Sequence, residues 1–363
     1  MGSGYNGSIF WASSFQLDRT EENTMISIKN YYKYTWQWIT AEKPACTMNI
    51  IHGNEAIQPF VVSIPGGRFW GAYGGAVITP NHKIIEDISI EPGLFEINFN
   101  FQSFKNKYPP IPRYYHENVA LLQASYGFNY FHLMFDIAAR LDLLRRSKIP
   151  IQRYVTNHLL PIQDELLSLL GIPKEQRIEV TPNLIIQAKE LVAPSYTGSS
   201  LGIVPKWACH FLRNELLLNR KVEKLAGYER IYISRDLASH RKVINEKEVM
   251  DFLTSLGFKF ILLEHEPIVR KIQIFHSANV VIAPHGAGLT NLLFCSPGTK
   301  VIELFSPNWM LSCFKMISQY LGLDYYELTG KGHRYPNRVD PRGYHENIEI
   351  DVPELFQLLG RLI

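Results

Sequence analysis

The chain has 363 residues, 46% of them apolar and 20% charged, with a formal net charge of +3. That length exceeds one typical domain and leaves enough apolar material for two cores. So small a charge, with basic residues scattered apart from short clusters such as Arg145-Arg146, argues against a nucleic-acid partner. The four cysteines (Cys46, Cys209, Cys295, Cys313) lie far apart with no CxxC pair, which excludes a zinc knuckle or a disulfide framework and leaves them as small buried hydrophobes. No stretch has the length of a membrane span, and the first twenty residues lack a basic segment followed by an apolar one. A cytoplasmic protein is the expectation.

In chain order, residues 1–30 show little periodicity, and residues 31–60 are rich in aromatics without a clear element. Residues 59–87 alternate short apolar runs with Gly and Pro turns, which predicts a small β-meander. The proline-rich run at 108–115 reads as an extended connector. A strand is expected at 119–124, a long helix at 129–146, a strand at 153–156, a helix at 162–170, strand material at 183–193 and a helix at 205–218. A charged segment at 219–229 marks a domain boundary, after which strands and helices alternate regularly. Strands at 230–234, 258–263, 279–283, 300–305 and 324–328 are separated by helical patterns, which is the signature of a parallel, Rossmann-like sheet. Residues 343–363 form a tail that ends in an amphipathic helix, placed as packing back on the first domain. The expected domains are thus 1–225, 226–342 and this tail.

Three constellations carry chemistry. The first is ANVVIAPHGAGLTNLLFCSPGTKVIELFSP, a buried strand, a glycine turn, a short helix and a second buried strand. Gly286 and Gly288 would let backbone approach a ligand, the amides that follow would favour an anion, and His285, Thr290, Asn291 and Glu303 crowd the carboxyl edge of the sheet. The second is His132 with Asp136, four apart on a helix rich in Phe and Met, a pair suited to general-base work. The third is SRDLASHRKVINE, where Arg235 and Arg241 can reach a diphosphate from a loop and Asn245 and Glu246 are expected to cap the next helix.

Absences matter as well. The chain has no GxxxxGK[ST] loop, no HExxH and no DxD, so a phosphate ligand would be neutralised by Arg, Lys and helix amides instead of a metal. The GxG at Gly286 lacks the third glycine of the dinucleotide fingerprint. Gly198-Ser199-Ser200-Leu201-Gly202 matches GxSxG by letter, but its flanks read as loop, not as a strand–turn–helix elbow.

Taken together, NYFHLMFD at 129–136, ISR followed by RKVINE at 233–246, and APHGAGLTN at 283–291 with IELF after it resemble glycosyltransferase family 61. That family includes plant xylan xylosyl- and arabinosyltransferases, animal protein-O-linked N-acetylglucosaminyltransferases and bacterial capsule-associated proteins. The resemblance runs from about 61 to 307 and implies a GT-B architecture, two Rossmann-like domains facing a cleft. It also implies inversion at the anomeric carbon, no metal or other cofactor, and a nucleotide-sugar co-substrate, UDP-linked. On this reading Arg235, Arg241 and the turn His285, Gly286, Ala287, Gly288, Leu289, Thr290 and Asn291 bind the donor diphosphate, with Glu303 near the nucleoside or sugar. Asp136 is the first choice as base and His132 the second, a His132 activated by Asp136 being an equally coherent arrangement, with Asn129 and Tyr130 on the acceptor side. The partners implied are a nucleotide sugar and a glycan or protein acceptor. The N-terminal aromatics (Tyr31, Tyr32, Tyr34, Trp36, Trp38) fit either a core or a platform for sugar rings. Two alternatives stay open: a nucleotide-dependent epimerase or oxidoreductase, and a non-catalytic glycan- or nucleotide-binding protein.

Overall fold

The computed structural model describes residues 25–26, 50–52, 55–57, 59–71, 75–80, 84–89, 111–198 and 202–362. Cys46 and the N-terminal aromatic stretch lie outside these residues.

The chain builds two sheets. The first contains β1 (Met25–Ile26), β4 (Val61–Pro65), β5 (Arg68–Trp70), β6 (Ala76–Ile78), β7 (Ile84–Ile85), β8 (Arg113–Leu122), β9 (Arg153–Thr156), β10 (Arg177–Glu179) and β11 (Ile185–Pro194). Its order is β1-β7-β6-β5-β11-β8-β9-β10, with β4 also on β11; β2 (Ile50–His52) and β3 (Glu55–Ile57) form a separate hairpin. Strands β10, β9, β8 and β11 are parallel, in the chain order 3-2-1-4 of half a Rossmann sheet. The expected meander is present, but it is not a domain of its own: β4 and β5 add to β11 in antiparallel fashion, making one mixed sheet. Arg113 to Tyr115, read as connector, already belong to β8.

The second sheet holds β12 (Arg230–Ile233), β13 (Lys259–Ile261), β14 (Val280–Pro284), β15 (Lys300–Phe305) and β16 (Asp324–Thr329), all parallel, in the order β13-β12-β14-β15-β16. This is a doubly wound 2-1-3-4-5 arrangement, as the alternation of strands and helices requires.

Alternation along the strands sorts the cores. Val119 and Leu121 of β8 face the outer side of the first sheet with Ile64 and Phe69. Tyr232, Ile282 and Ile302 face the outer side of the second with Val249 and Leu253. The opposite faces share one core: Ala120 and Leu122 of the first sheet join Ile231, Ile233, Val281 and Val301 of the second through Phe131, Phe135, Leu212, Leu292 and Phe314. Arg213 reinforces the junction, donating from Nη1 to the carbonyls of Leu293 and Cys295 at 2.6 Å each. The Glu165 carboxylate accepts the Ile268 amide at 2.7 Å.

The last helix, Val352–Leu362, corrects one expectation. Leu355 and Leu359 enter the outer core of the second sheet, beside Val249 and Leu253, so the tail belongs there and not on the first domain. Lys242 and Ile348 tie it down by backbone pairing, and Asn245 holds both the amide and the carbonyl of Ile350. That use of Asn245 also corrects its expected role, since its side chain makes no cap bond to the helix Glu246–Ser255.

Candidate active site

Each parallel sheet has a switch point, where successive crossovers leave in opposite directions and the strand ends splay into a crevice. In the first sheet it lies between β8 and β11, and His132 and Asp136 stand there. The helix begins at Tyr130, capped by Asn129 Oδ1 accepting the Phe131 amide at 2.9 Å, and widens into a π-helical segment over Leu133–Ala138. Such segments are uncommon and concentrate at functional sites. Buried Arg140 ties this crevice together, donating to Gln123 O at 2.9 Å and to Pro194 O at 2.7 Å, one carbonyl beyond β8 and one at the end of β11.

Asp136 is 1% exposed. One carboxylate oxygen lies 2.6 Å from His132 Nδ1, and the other accepts Thr197 Oγ1–H at 2.8 Å. So placed, it suits orienting an imidazole, the arrangement expected from the sequence beside a direct Asp136 base. His132 keeps 18% of its side chain exposed. Asn129 and Tyr130, expected on the acceptor side, are engaged within the chain. The Tyr130 hydroxyl donates to Asn291 Oδ1 at 2.9 Å, the direct link between the two sheets' sites. The Phe314 ring makes a second link, 5.8 Å from Phe131 and 5.3 Å from His285.

In the second sheet the switch point lies between β12 and β14, and it brings Arg235 against Gly286. A Cβ on Gly286 would sit 1.9 Å from Arg235 Nη1 and 2.8 Å from its Cζ, so the glycine clears space for the guanidinium. Arg235 donates from Nη2 to His240 O at 3.0 Å. Arg241, held in a left-handed conformation (φ 54°), reaches Tyr344 O and lies 5.3 Å over the Tyr344 ring. Among the described residues neither arginine has a carboxylate partner, and the Nε of each is buried without an acceptor. Burial, then Arg235, pushes Arg241 down to about 10. Burial, then Arg241 and Arg235, pushes His240 down to about 4. Glu264 and Glu303 favour the charged forms of Arg235 and Arg241 from a distance, but no carboxylate pairs directly with either, and an anionic ligand would relieve the burial of their charge.

The rest of the turn divides. At Gly288 a Cβ would meet the Cδ1 tip of Leu263 at 2.9 Å. Ala287 and Gly288 open a 3₁₀ helix, Ala287–Phe294, in which Leu289, Thr290 and Asn291 are buried; Thr290 Oγ1 has no partner. Asn291 donates to Gly288 O at 2.9 Å besides holding Tyr130. Glu303 is 0% exposed, with one oxygen 2.5 Å from His285 Nδ1 and the other accepting the Tyr325 hydroxyl at 2.5 Å. Both of its oxygens are thus engaged within the chain, by His285 and Tyr325. Glu246, expected as a cap, accepts Tyr232 and Ser234 hydroxyls at 2.8 and 3.0 Å and fixes the start of the arginine loop.

Sequence reasoning missed the segment 331–346. It hangs on buried Asn308, whose side chain donates to His333 O and Glu346 and accepts the Tyr335 amide. Gly343 passes so close to Asn308 that a Cβ would meet its backbone at 2.7 Å. Tyr344 stacks on His240 at 5.1 Å and so closes one side of the arginine site. The ring pair and the arginine contact have no local sequence pattern, since Tyr344 and Arg241 are 103 residues apart. Beyond the ends of β15 and β16 the same segment borders a cavity of about 310 Å³, lined by Pro307, Met310, Glu327, Thr329, Tyr335 and Arg338 among others.

In the GxSxG match, residues 199–201 are outside the described set; β11 ends at Pro194 and the next helix begins only at Lys206, which is not an elbow. Cys209, Cys295 and Cys313 are buried and free, as small hydrophobes should be. Among the described residues no helix is long and apolar enough to cross a membrane, and no three His, Cys, Asp or Glu side chains cluster as metal ligands.

Comparison with known proteins points the same way. The family model described as Glycosyltransferase 61 matches residues 130–302, a span that includes His132, Asp136, Arg235, Arg241 and the Gly286 turn. A beta-1,2-xylosyltransferase of Arabidopsis thaliana is 28% identical over 132 residues, 33% of this chain and 23% of the relative. The beta-1,2-xylosyltransferase XAX1 of Oryza sativa subsp. japonica is 24% identical over 373 aligned positions, 86% of this chain and 65% of the relative. The EGF domain-specific O-linked N-acetylglucosamine transferase of Mus musculus is 26% identical over 149 residues, 37% of this chain and 27% of the relative. The chain thus spans from about a quarter to just under two thirds of the length of these relatives. The expected cytoplasmic placement has no support among them.

Proposed function

We propose that this chain, similar to glycosyltransferase family 61 over residues 130–302, is a glycosyltransferase that moves a sugar from a nucleoside-diphosphate donor, UDP-linked, to a hydroxyl of a glycan or protein acceptor. The observation that carries the reading is the pair of half-buried Arg235 and buried Arg241, each with its Nε buried and neither in an ion pair with a carboxylate among the described residues, beside the Gly286 turn. A diphosphate offers the charge and the acceptor oxygens that both guanidiniums lack. On this reading the two parallel sheets are the halves of a GT-B enzyme.

Transfer is inverting. His132 takes the acceptor's proton as its hydroxyl attacks the anomeric carbon opposite the leaving nucleotide. Asp136, accepting His132 Nδ1–H and braced by Thr197, leaves Nε2 as the nitrogen with the lone pair. The C–O bond to the diphosphate breaks as the new glycosidic bond forms. Arg235, Arg241 and the first amides of the 3₁₀ helix stabilise the departing diphosphate, the electrostatic role that commonly dominates catalysis. With those cations in place the step needs no metal. The transferase names of the relatives suggest xylose and N-acetylglucosamine as the first sugars to try.

The test is a thermal-shift and transfer panel of UDP, UDP-xylose, UDP-N-acetylglucosamine, GDP and NAD, each with and without EDTA. Stabilisation by UDP or a UDP-sugar that EDTA leaves unchanged, followed by sugar transfer to a glycan or peptide hydroxyl, is expected. Stabilisation by NAD alone would overturn the reading in favour of redox chemistry. Nucleotide binding without transfer to any acceptor would favour a binding protein.

A further inference from the structure

Two histidine–carboxyl pairs of nearly equal length occupy the two switch points, and their surroundings differ. His285 is 4% exposed and Glu303 is fully buried at the carboxyl half of β15, on the face turned toward the shared core. The imidazole is stacked on Phe305 at 5.2 Å and flanked by Phe314. Nδ1 is engaged by Glu303, and Nε2 on the far edge of the ring has no partner among the described residues.

We infer that Glu303 is a protonated carboxylic acid that fixes His285 in the Nε2–H tautomer, making His285 a neutral hydrogen-bond donor to the ligand held by Arg235 and Arg241. This rests on the donor reading above for the identity of the ligand, but not for the tautomer. Glu303 and Tyr325 are then positioning residues.

The hydrogen count follows from geometry. Tyr325 donates its only hydroxyl hydrogen to one oxygen of Glu303. The other oxygen faces Nδ1 at 2.5 Å, and one hydrogen must lie between them. If it belongs to Nδ1, the carboxyl is an anion in a dry site: with Nε2–H retained the imidazole becomes a cation, and with one proton fewer in all Nε2 presents a lone pair, repelling a phosphate oxygen. If it belongs to Glu303, every group is neutral and Nε2–H points outward as a donor.

The groups facing Glu303 from each neighbouring element decide between these. Burial raises its carboxyl well above the ordinary range, and Glu327, its register partner on β16, adds to this. The Tyr325 hydrogen bond and Arg241, on the loop after β12, act the other way. Cys313, which opens the helix over β15 and β16, stays a neutral thiol because burial and Glu303 both raise it. Burial, then Arg241 and Arg235, lowers His285 well below its usual value, which favours the neutral imidazole. The proton therefore stays on Glu303. A protonated acid kept neutral in order to donate is an established way to build such a site.

The experiment combines tautomer and affinity. Nitrogen-15 NMR of the full chain, labelled at histidine and free of nucleotide at pH 7, should show His285 protonated at Nε2 and bare at Nδ1, the resonances identified by their loss in His285→Gln. UDP affinity of the wild type should fall about tenfold as pH rises and Glu303 ionises, the loss of one hydrogen bond to a charged group. Glu303→Gln is built to answer the question even if His285→Gln fails to fold. Tyr325 keeps its acceptor on the amide oxygen and the NH₂ donates to Nδ1, so the tautomer is locked. That variant should match wild-type UDP affinity at pH 7 within about threefold and lack the fall at higher pH. Protonated Nδ1 in the wild type, or the same pH-dependent fall in Glu303→Gln, would overturn the inference. An Nε2–H tautomer in a protein that binds no nucleoside diphosphate would uphold the tautomer and overturn the donor reading instead.

Discussion

Gly286→Ala separates ligand binding from fold at a single methyl group. Gly286 has φ and ψ of 171°, extended backbone that alanine adopts freely, so the substitution carries no conformational penalty. Its whole effect is steric: the new Cβ would lie 1.9 Å from Arg235 Nη1 and 2.8 Å from Cζ, against contact distances of about 3.5 Å or more. What must move is the tip of a long side chain anchored by one bond to His240 O. The cost to stability is therefore small, below about 1 kcal/mol. The cost to binding is larger, because the displaced guanidinium loses one or two charge-assisted bonds to phosphate. At about 1.5 kcal/mol each, that predicts UDP binding weaker by roughly 10- to 100-fold. Isothermal calorimetry with UDP gives the loss, and a melting curve checks the fold. Arg235→Ala supplies the cycle: if the methyl acts only through Arg235, adding Gly286→Ala to Arg235→Ala should weaken binding no further. A folded Gly286→Ala protein with UDP affinity within about twofold of wild type would refute the reasoning.

Two further outcomes are expected. Arg241→Met removes a buried cation that burial and Arg235 already disfavour, so without nucleotide it should melt no lower than the wild type, and UDP should stabilise it less; a clear drop in its melting temperature would show that Arg241 is compensated in the free protein. His132→Ala should lower kcat by about 10²- to 10⁴-fold with UDP affinity unchanged, and Asp136→Asn should do so through loss of imidazole orientation; near-normal turnover in His132→Ala would remove it as the base.

The second sheet was legible because each strand is buried on both faces and each crossover is a regular helix, so hydrophobic runs and periodicity coincide with the elements. The first sheet was legible only in its parallel half. The antiparallel strands Val61–Pro65 and Arg68–Trp70 join Ile185–Pro194 across more than a hundred residues, and a pairing of that separation leaves no local pattern. At the sites, residue type was readable and orientation was not. Glu303 and Asp136 stand where ligands bind in such sheets, yet both point into neighbouring side chains, a matter of strand parity and helix phase. Thr197, Tyr325 and Tyr344 were unreadable for a related reason: each acts on a partner from another element.

The single core shared by the two sheets bears on how a substrate gets in and out. Enzymes with a cleft between two domains often breathe by swinging one domain away from the other, which is inexpensive when the interface is small and polar. Here a swing would have to pull Phe131 from Phe314 and Leu212 from Leu292 and break the Arg213 clamp on Leu293 and Cys295. Each large side chain so uncovered costs about 1.5–3 kcal/mol. The segment 331–346 is held instead by polar contacts: the hydrogen bonds of Asn308, backbone bonds at Lys331, Arg338 and Asp340, the Arg338–Glu327 ion pair and the Tyr344 ring. A motion that parts the two sheets is therefore the expensive one.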